Sequence, residues 1–156
     1  MWPEPVELVA RELRRGAVEA TLQEFPEGTP TAEAAARAIG CRLEEIVKSI
    51  LFVVGGAHVL ALVPGDRRAD EAKVAEAAGG GETRVAYARE VVAATGFEPG
   101  AVAPFPLRAV DLVLLERTVL QHPKVWIGAG SPSHMAGLSP SELQRLSGAR
   151  PADLVS

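Results

Sequence analysis

Lys48 is the residue whose position most needs chemistry to explain it. It stands in Ile46-Val47-Lys48-Ser49-Ile50-Leu51-Phe52-Val53-Val54, an otherwise almost unbroken apolar run. A run this short and this rich in β-branched residues reads as a strand buried on both faces, where an ammonium group is costly unless an anionic or polar ligand lies in reach. Two readings follow. Either Lys48 serves a ligand, or it sits at the strand entrance and carries its head to water along an apolar stem. Other chemistry is excluded by residue type and spacing. The single Cys41 and the scattered His58, His122 and His134 offer no metal-ligand spacing, so no metal is expected. Gly79-Gly80-Gly81 lacks the Lys-Ser/Thr of a phosphate-binding loop and reads as a helix stop. There is no G-x-S-x-G elbow. An enzyme with these residues is expected to work without a serine or cysteine covalent intermediate and without a cofactor. What remains beside Lys48 is a pair of glycine-containing loops, Gly100 to Phe105 and Gly128 to His134.

The elements that must position these residues are legible as patterns. Val6, Val9, Ala10 and Leu13 recur at helical spacing, with Pro5 in the first turn and Gly16 closing the helix. Val18, Ala20 and Leu22 alternate with Glu19, Thr21 and Gln23, as in a half-solvated strand. Thr31 caps a short helix with Ala32, Ala35, Ala36 and Ile39 inside, and Gly40 stops it. The apolar run and His58 to Val63 flank Gly55-Gly56 as a hairpin. Pro64-Gly65-Asp66 is a turn, and Asp70 caps a further helix. A strand over 83–86, a helix over 87–95 stopped by Gly96, strands over 107–115 and 124–127, and a helix started by Ser139-Pro140-Ser141-Glu142 complete the pattern. Without a regular βαβ repeat, this order predicts an α+β domain: a mixed, largely antiparallel, barrel-like sheet surrounded by helices.

The chain has 156 residues, a formal net charge of −4, 47% hydrophobic residues and only 4% aromatic ones. That length suits a single domain over 1–156, with a core of Ala, Val and Leu. The negative balance argues against broad attraction to nucleic acid, although a local basic patch can still hold a phosphate. One lone thiol fits a reducing cytoplasm, and Cys41 reads as a small buried hydrophobe. No export signal and no membrane span are expected.

Taken in order, Gly40 with Ile46-Val47-Lys48-Ser49, the Pro64-Gly65-Asp66 turn with Asp70, Thr95-Gly96 with Gly100-x-x-x-Pro104, Asp111, and Gly130-x-x-x-His134 run over nearly the whole chain. In these markers the sequence resembles the YbaK family of aminoacyl-tRNA editing domains, which includes the editing insertion of bacterial prolyl-tRNA synthetase and its free-standing relatives. The resemblance implies hydrolysis of the ester joining a wrongly attached amino acid to the 3′-terminal adenosine of a tRNA. A synthetase pocket separates side chains differing by a methylene by only about 1–3 kcal/mol, so a second sieve is needed. The ester is already activated, and oriented backbone N–H groups and a positioned water meet the chemical need.

Carried over to this chain, the resemblance makes Lys48, Gly100 and His134 the catalytic candidates. Ser49, Ala101, Pro104, Phe105, Asp111, Gly128, Gly130 and Ser131 are the substrate-binding candidates. Lys48 is expected in a pocket roofed by both glycine loops, with Gly100 at an ordinary φ where substrate meets backbone. Read from their residue types alone, His134 is equally a solvated loop histidine, Asp111 a turn acceptor and Phe105 a core residue. Pro106 follows Phe105 where many relatives carry glycine, so the amino acid removed is not inherited from the family. The expectation is a free-standing trans-editing deacylase acting on a small amino acid on tRNA-Pro or a related tRNA, with an aminoacyl-tRNA synthetase as a possible partner. The alternative is a non-catalytic module of the same fold that binds aminoacyl-adenosine, tRNA or a synthetase.

Overall fold

The computed structural model describes residues 2–156. Its centre is the hairpin of β2 (Ile46–Val54) and β3 (Ala57–Pro64), antiparallel from Val47 opposite Pro64 to Val54 opposite Ala57. The expected Gly55-Gly56 turn joins them, and both glycines have positive φ, a conformation that costs glycine little. Val59 to Val63 are at most 1% exposed, as a continuous apolar run in a central strand should be.

Around this hairpin runs a single sheet. The other strands are β1 (Thr21–Glu24), β4 (Thr83–Val85), β5 (Leu112–Glu116), β6 (Val125–Gly128), β7 (His134–Leu138) and β8 (Arg150–Ala152). Their order is β1-β7-β6-β2-β3-β5-β8, with β4 attached to β2 beside that path. Four pairings are antiparallel (β1/β7, β6/β7, β2/β3, β2/β4) and three are parallel (β2/β6, β3/β5, β5/β8). The mixed α+β expectation holds, but the sheet is not a barrel. β1 and β8 stand at opposite ends of the path and do not pair, so the sheet stays open.

Among the described residues five helices cover it: α1 (Glu4–Arg15), α2 (Ala32–Ile39), α3 (Glu71–Ala77), α4 (Ala88–Thr95) and α5 (Pro140–Ser147). Three of their starts follow the capping residues read from sequence. The side chains of Thr31, Asp70 and Ser139 accept backbone N–H bonds from Ala34, Ala72 and Glu142, satisfying donors that a helix start leaves without partners. Helices α1, α4 and α5 place Val9, Leu13, Ala94 and Leu143 in the main core with Val47, Leu51, Leu60 and Leu62. Helix α3 covers the other face of the hairpin, with Val74 on Phe52, Val54 and Val63. Helix α2 packs Ala35 and Ala36 on Ile46, Trp126 and Met135. Neighbouring residues of β2 thus belong to different cores, the period of two expected of a strand.

Three boundaries differ from the sequence pattern. The alternation over 18–23 becomes a strand only from Thr21, and the apolar residues of 107–111 form a bend ahead of β5. There Leu107 and Val110 still pack on the main core. Strand β7 begins inside what reads as a glycine-serine-proline loop.

Candidate active site

The site begins where two strands part. Strand β6 runs parallel to β2 only at Ile46 opposite Trp126 and Val47 opposite Ile127. On the same edge of β2, β4 pairs from Phe52 to Val54, and Ala86 N–H reaches the Leu51 carbonyl at 2.9 Å. Between these partners lies Ser49. Gly65 N–H donates to the Ile46 carbonyl at 2.7 Å, so Ile46, Lys48 and Ile50 turn their main-chain groups toward β3. Val47, Ser49 and Leu51 turn theirs toward the opposite edge. Neither β6 nor β4 reaches Ser49, whose N–H and C=O therefore face a gap in the sheet. The Ser49 hydroxyl is buried and has no hydrogen-bond partner among the described residues. Buried polar groups are otherwise almost always satisfied.

The gap opens into a cleft of about 280 Å³. Lys48 and Ser49 border it from β2, Gly128 from β6, Met135 from β7, Gly100 and Val102 from the loop after α4, and Thr29 to Ala32 with Ala35 from the entry to α2. Lys48 Nζ donates to the Arg67 carbonyl at 2.9 Å. An ammonium has three N–H donors, so two more are free for a ligand. Gly100 has φ +81°, and a Cβ built there would have nothing within 4 Å. Gly128 has a different need: a Cβ there would stand 3.0 Å from the Val102 carbonyl oxygen, so the glycine lets the loop lie against β6. Among the lining residues Lys48 carries the one titratable side chain.

The outer wall is tied down. Phe25 N–H donates to the Ser133 carbonyl at 2.7 Å, and Thr29 N–H and hydroxyl donate to the Pro132 carbonyl at 2.8 and 3.1 Å. These bonds continue the β1/β7 pairing of Glu24 with His134.

Of the expected site residues, the structure gathers Lys48, Ser49, Gly100 and Gly128 at the cleft, and leaves the others elsewhere. His134 is 3% exposed and points to the face of β7 opposite Met135. Its Nδ1 lies 2.5 Å from the Ser131 hydroxyl, its Nε2 3.8 Å from the Glu24 carboxylate, and its ring meets Trp2 edge-on at 5.2 Å. Neither His134 nor Ser131 borders the cleft. Ala101, Pro104 and Phe105 are buried behind the loop, with Phe105 in the main core. Asp111 accepts the His58 N–H at 2.8 Å, a turn contact away from the cleft. Gly130 has φ +98° and packs where a Cβ would meet the Pro5 carbonyl at 2.8 Å. Gly100 is corrected too: its φ is positive, not ordinary.

The wall from Thr29 to Ala35 was not read from the sequence; only the Thr31 cap marked it. Burial pushes the Cys41 thiol up and Glu45 adds to the effect, opposite to what a nucleophilic thiolate needs. Among the described residues no group of three His, Cys, Asp or Glu could hold a metal, and no helix is long and apolar enough to cross a membrane.

An open mixed sheet with a glycine-walled cleft at a break between strands, with one lysine and an unpartnered serine beside it, defines a small α+β domain with a single cationic side chain at a candidate site. Known proteins narrow that class. The model of the aminoacyl-tRNA editing domain matches residues 26–146, and the chain belongs to that family. Proline–tRNA ligase of Lactobacillus johnsonii is 33% identical over 107 residues, 69% of this chain and 19% of the ligase; that of Xanthomonas oryzae pv. oryzae is 32% identical over 127 residues, 81% and 22%. The chain thus spans about a fifth of the length of these ligases. The uncharacterised protein YwhH of Bacillus subtilis is 34% identical over 125 residues, 80% of this chain and 79% of YwhH. A crystal structure of a candidate trans-editing enzyme for prolyl tRNA synthetase superposes with TM-score 0.91 at 33% identity, covering 100% of this chain and 99% of that one.

Proposed function

We propose that this chain hydrolyses the ester between a small, wrongly attached amino acid and the 3′-terminal adenosine of a tRNA, acting in trans on tRNA-Pro or a related tRNA. Family membership and end-to-end likeness to the candidate trans-editing enzyme support the reaction class. The observation that carries the reading is the convergence of Lys48, Ser49 and Gly100 on one cleft.

In the reaction, water adds to the ester carbonyl carbon and loses a proton, the carbonyl oxygen becomes an oxyanion, and the bond to the ribose oxygen breaks as that oxygen takes up a proton. The Lys48 ammonium and the Ser49 N–H are fixed donors for the oxyanion, and preorganised donors of this kind supply a large share of the barrier lowering in acyl transfer. Among the described residues no carboxylate or imidazole lines the cleft to serve as general base, so rate comes from positioning and charge stabilisation on an activated ester. His134 acts only by holding the Gly128–Ser133 loop.

The test is a deacylation screen over tRNAs carrying alanine, cysteine, serine and other small amino acids. Hydrolysis of at least one mischarged species, lost in Lys48→Ala, is expected. Tight binding of every species without turnover would favour the non-catalytic module instead.

A further inference from the structure

The cleft of about 280 Å³ lies at the small end of ligand pockets. It takes the aminoacyl end of a nucleic acid and leaves the rest of the strand to run over the surface. A second groove, of about 750 Å³, shares Pro30 with the cleft wall and lies between the 25–30 segment and the outer side of α2. We infer that this groove, bordered by Pro26, Pro30, Ala34, Ala38, Arg37 and Glu27, seats the nucleotide that precedes the esterified adenosine. This rests on the function proposed above.

The chemistry of the groove fits a nucleotide. Pro26 and Pro30 are exposed and present apolar ring faces, while Ala34 and Ala38, one helical turn apart on α2, leave a shallow floor against which a base can lie. Arg37, on the same side of the helix, is exposed and has no ion-pair partner among the described residues. It can meet a phosphate, which guanidinium matches in geometry and charge. Glu27 has no ion-pair partner either, and a carboxylate accepts from an exocyclic amino group such as the cytosine N4. A groove offering one cation, one acceptor and apolar faces suits a cytidine phosphate, with the phosphate on Arg37 and the base on the apolar faces beside Glu27. The groove is also built before binding, because its 25–29 wall is bonded to Pro132 and Ser133. The shared Pro30 sets the order: adenosine ester at Lys48, preceding nucleotide beyond Pro30.

The experiment compares the parent with Arg37→Ala and Arg37→Lys on two substrates bearing the same ester, a mischarged tRNA and the corresponding aminoacyl-adenosine. The ratio of kcat/KM on tRNA to that on aminoacyl-adenosine should fall about three- to fivefold in Arg37→Ala, mainly through KM. Arg37→Lys should keep most of it. Equal losses on both substrates, or none on either, would overturn the groove. Binding of an uncharged single strand ending in CCA, followed by fluorescence anisotropy, separates this inference from the reaction. The slope of log Kd against log salt should drop by about one in Arg37→Ala. A slope unchanged from the parent would sink the nucleotide site even if the enzyme is active. A parent that binds the strand with the Arg37-dependent slope but hydrolyses no mischarged tRNA would uphold the groove and remove the proposed reaction.

Discussion

Replacing Gly100 separates what its backbone needs from what its surroundings need. At φ +81° an alanine pays roughly 1–2 kcal/mol for the left-handed conformation. With no atom within 4 Å of the new methyl, no steric penalty is added. Stiffening the unfolded chain returns about 0.4–1 kcal/mol, so Gly100→Ala should destabilise by about 1 kcal/mol. For a chain of this length that lowers Tm by about 2–4 °C. Against a typical stability of about 5–15 kcal/mol, the variant stays essentially fully folded at 25 °C, and any activity change there belongs to the cleft. An extra methyl in a closely fitted pocket discriminates by about 10–200-fold, and kcat/KM for deacylation should fall within that range. Gly100→Asn is the control. Asparagine tolerates positive φ far better, so its Tm should return toward the parent's while its larger side chain keeps activity low. Thermal unfolding and single-turnover deacylation on the same samples decide the matter. Parental activity in Gly100→Asn would show that Gly100 is a turn device only; a parental Tm in Gly100→Ala would refute the conformational argument.

Lys48→Met keeps the stem and removes the donor; deacylation should drop about 100- to 1000-fold, with stability changed by no more than about 1 kcal/mol for the lost bond to Arg67. Ser49→Ala removes a buried hydroxyl that has no partner among the described residues and keeps the Ser49 N–H, so urea unfolding should show no loss of stability and kcat/KM should stay near the parent's; a destabilisation above about 1 kcal/mol would mean that the hydroxyl is structurally paired. Because no carboxylate or imidazole borders the cleft, log kcat/KM should rise smoothly over roughly pH 5–8, and an inflection in that span would point to a general base. Glu116 provides a stability test away from the site. It is 1% exposed. Burial alone would raise its pKa, but bonds from the N–H of Leu154 and from Thr118 outweigh that and hold it below the usual value. A lowered folded pKa gives stability that is present above the unfolded value, near 4.3, and is lost as pH falls through the folded one. Glu116→Gln should therefore cost about 1–3 kcal/mol at neutral pH, and the gap to the parent should close below about pH 4. A gap constant from pH 3 to 7 would contradict this assignment.

The local signals in the sequence were sound where one residue decides the geometry. Thr31, Asp70 and Ser139 cap helices, and Gly40 and Gly96 end helices in the left-handed conformation. Pattern failed where packing overrides it. Leu107 and Val110 look like strand residues but reach the core from a bend, and β7 is hard to see because Gly137 interrupts its apolar run. Gly137 is itself explained only in three dimensions, since a Cβ there would meet the Trp126 ring at 2.9 Å. The missed strand also hid the orientation of His134. With Met135 facing the cleft, a period of two sends its neighbour to the other side. Lys48 drew attention through its apolar setting, but its neighbourhood with Gly100 and Gly128 depends on long-range pairing, which only the family resemblance supplied. The break between β6 and β4 that bares Ser49 leaves no trace in residue types, because main-chain groups carry it.

The hydrogen bonds from Phe25 and Thr29 to Ser133 and Pro132 give the cleft a fixed outer wall. Its aperture is set when β1 zips onto β7, long before any substrate arrives, and widening it means breaking that seam. On the proposed function, selection there would need no closing lid: an amino acid too bulky would be refused by a wall already tied down, and one small enough would meet the same donors whatever its side chain. On the same proposal, changing what is refused would fall to residues that border the opening without holding a donor, such as Met135, while Lys48 and the Ser49 main chain stay as they are.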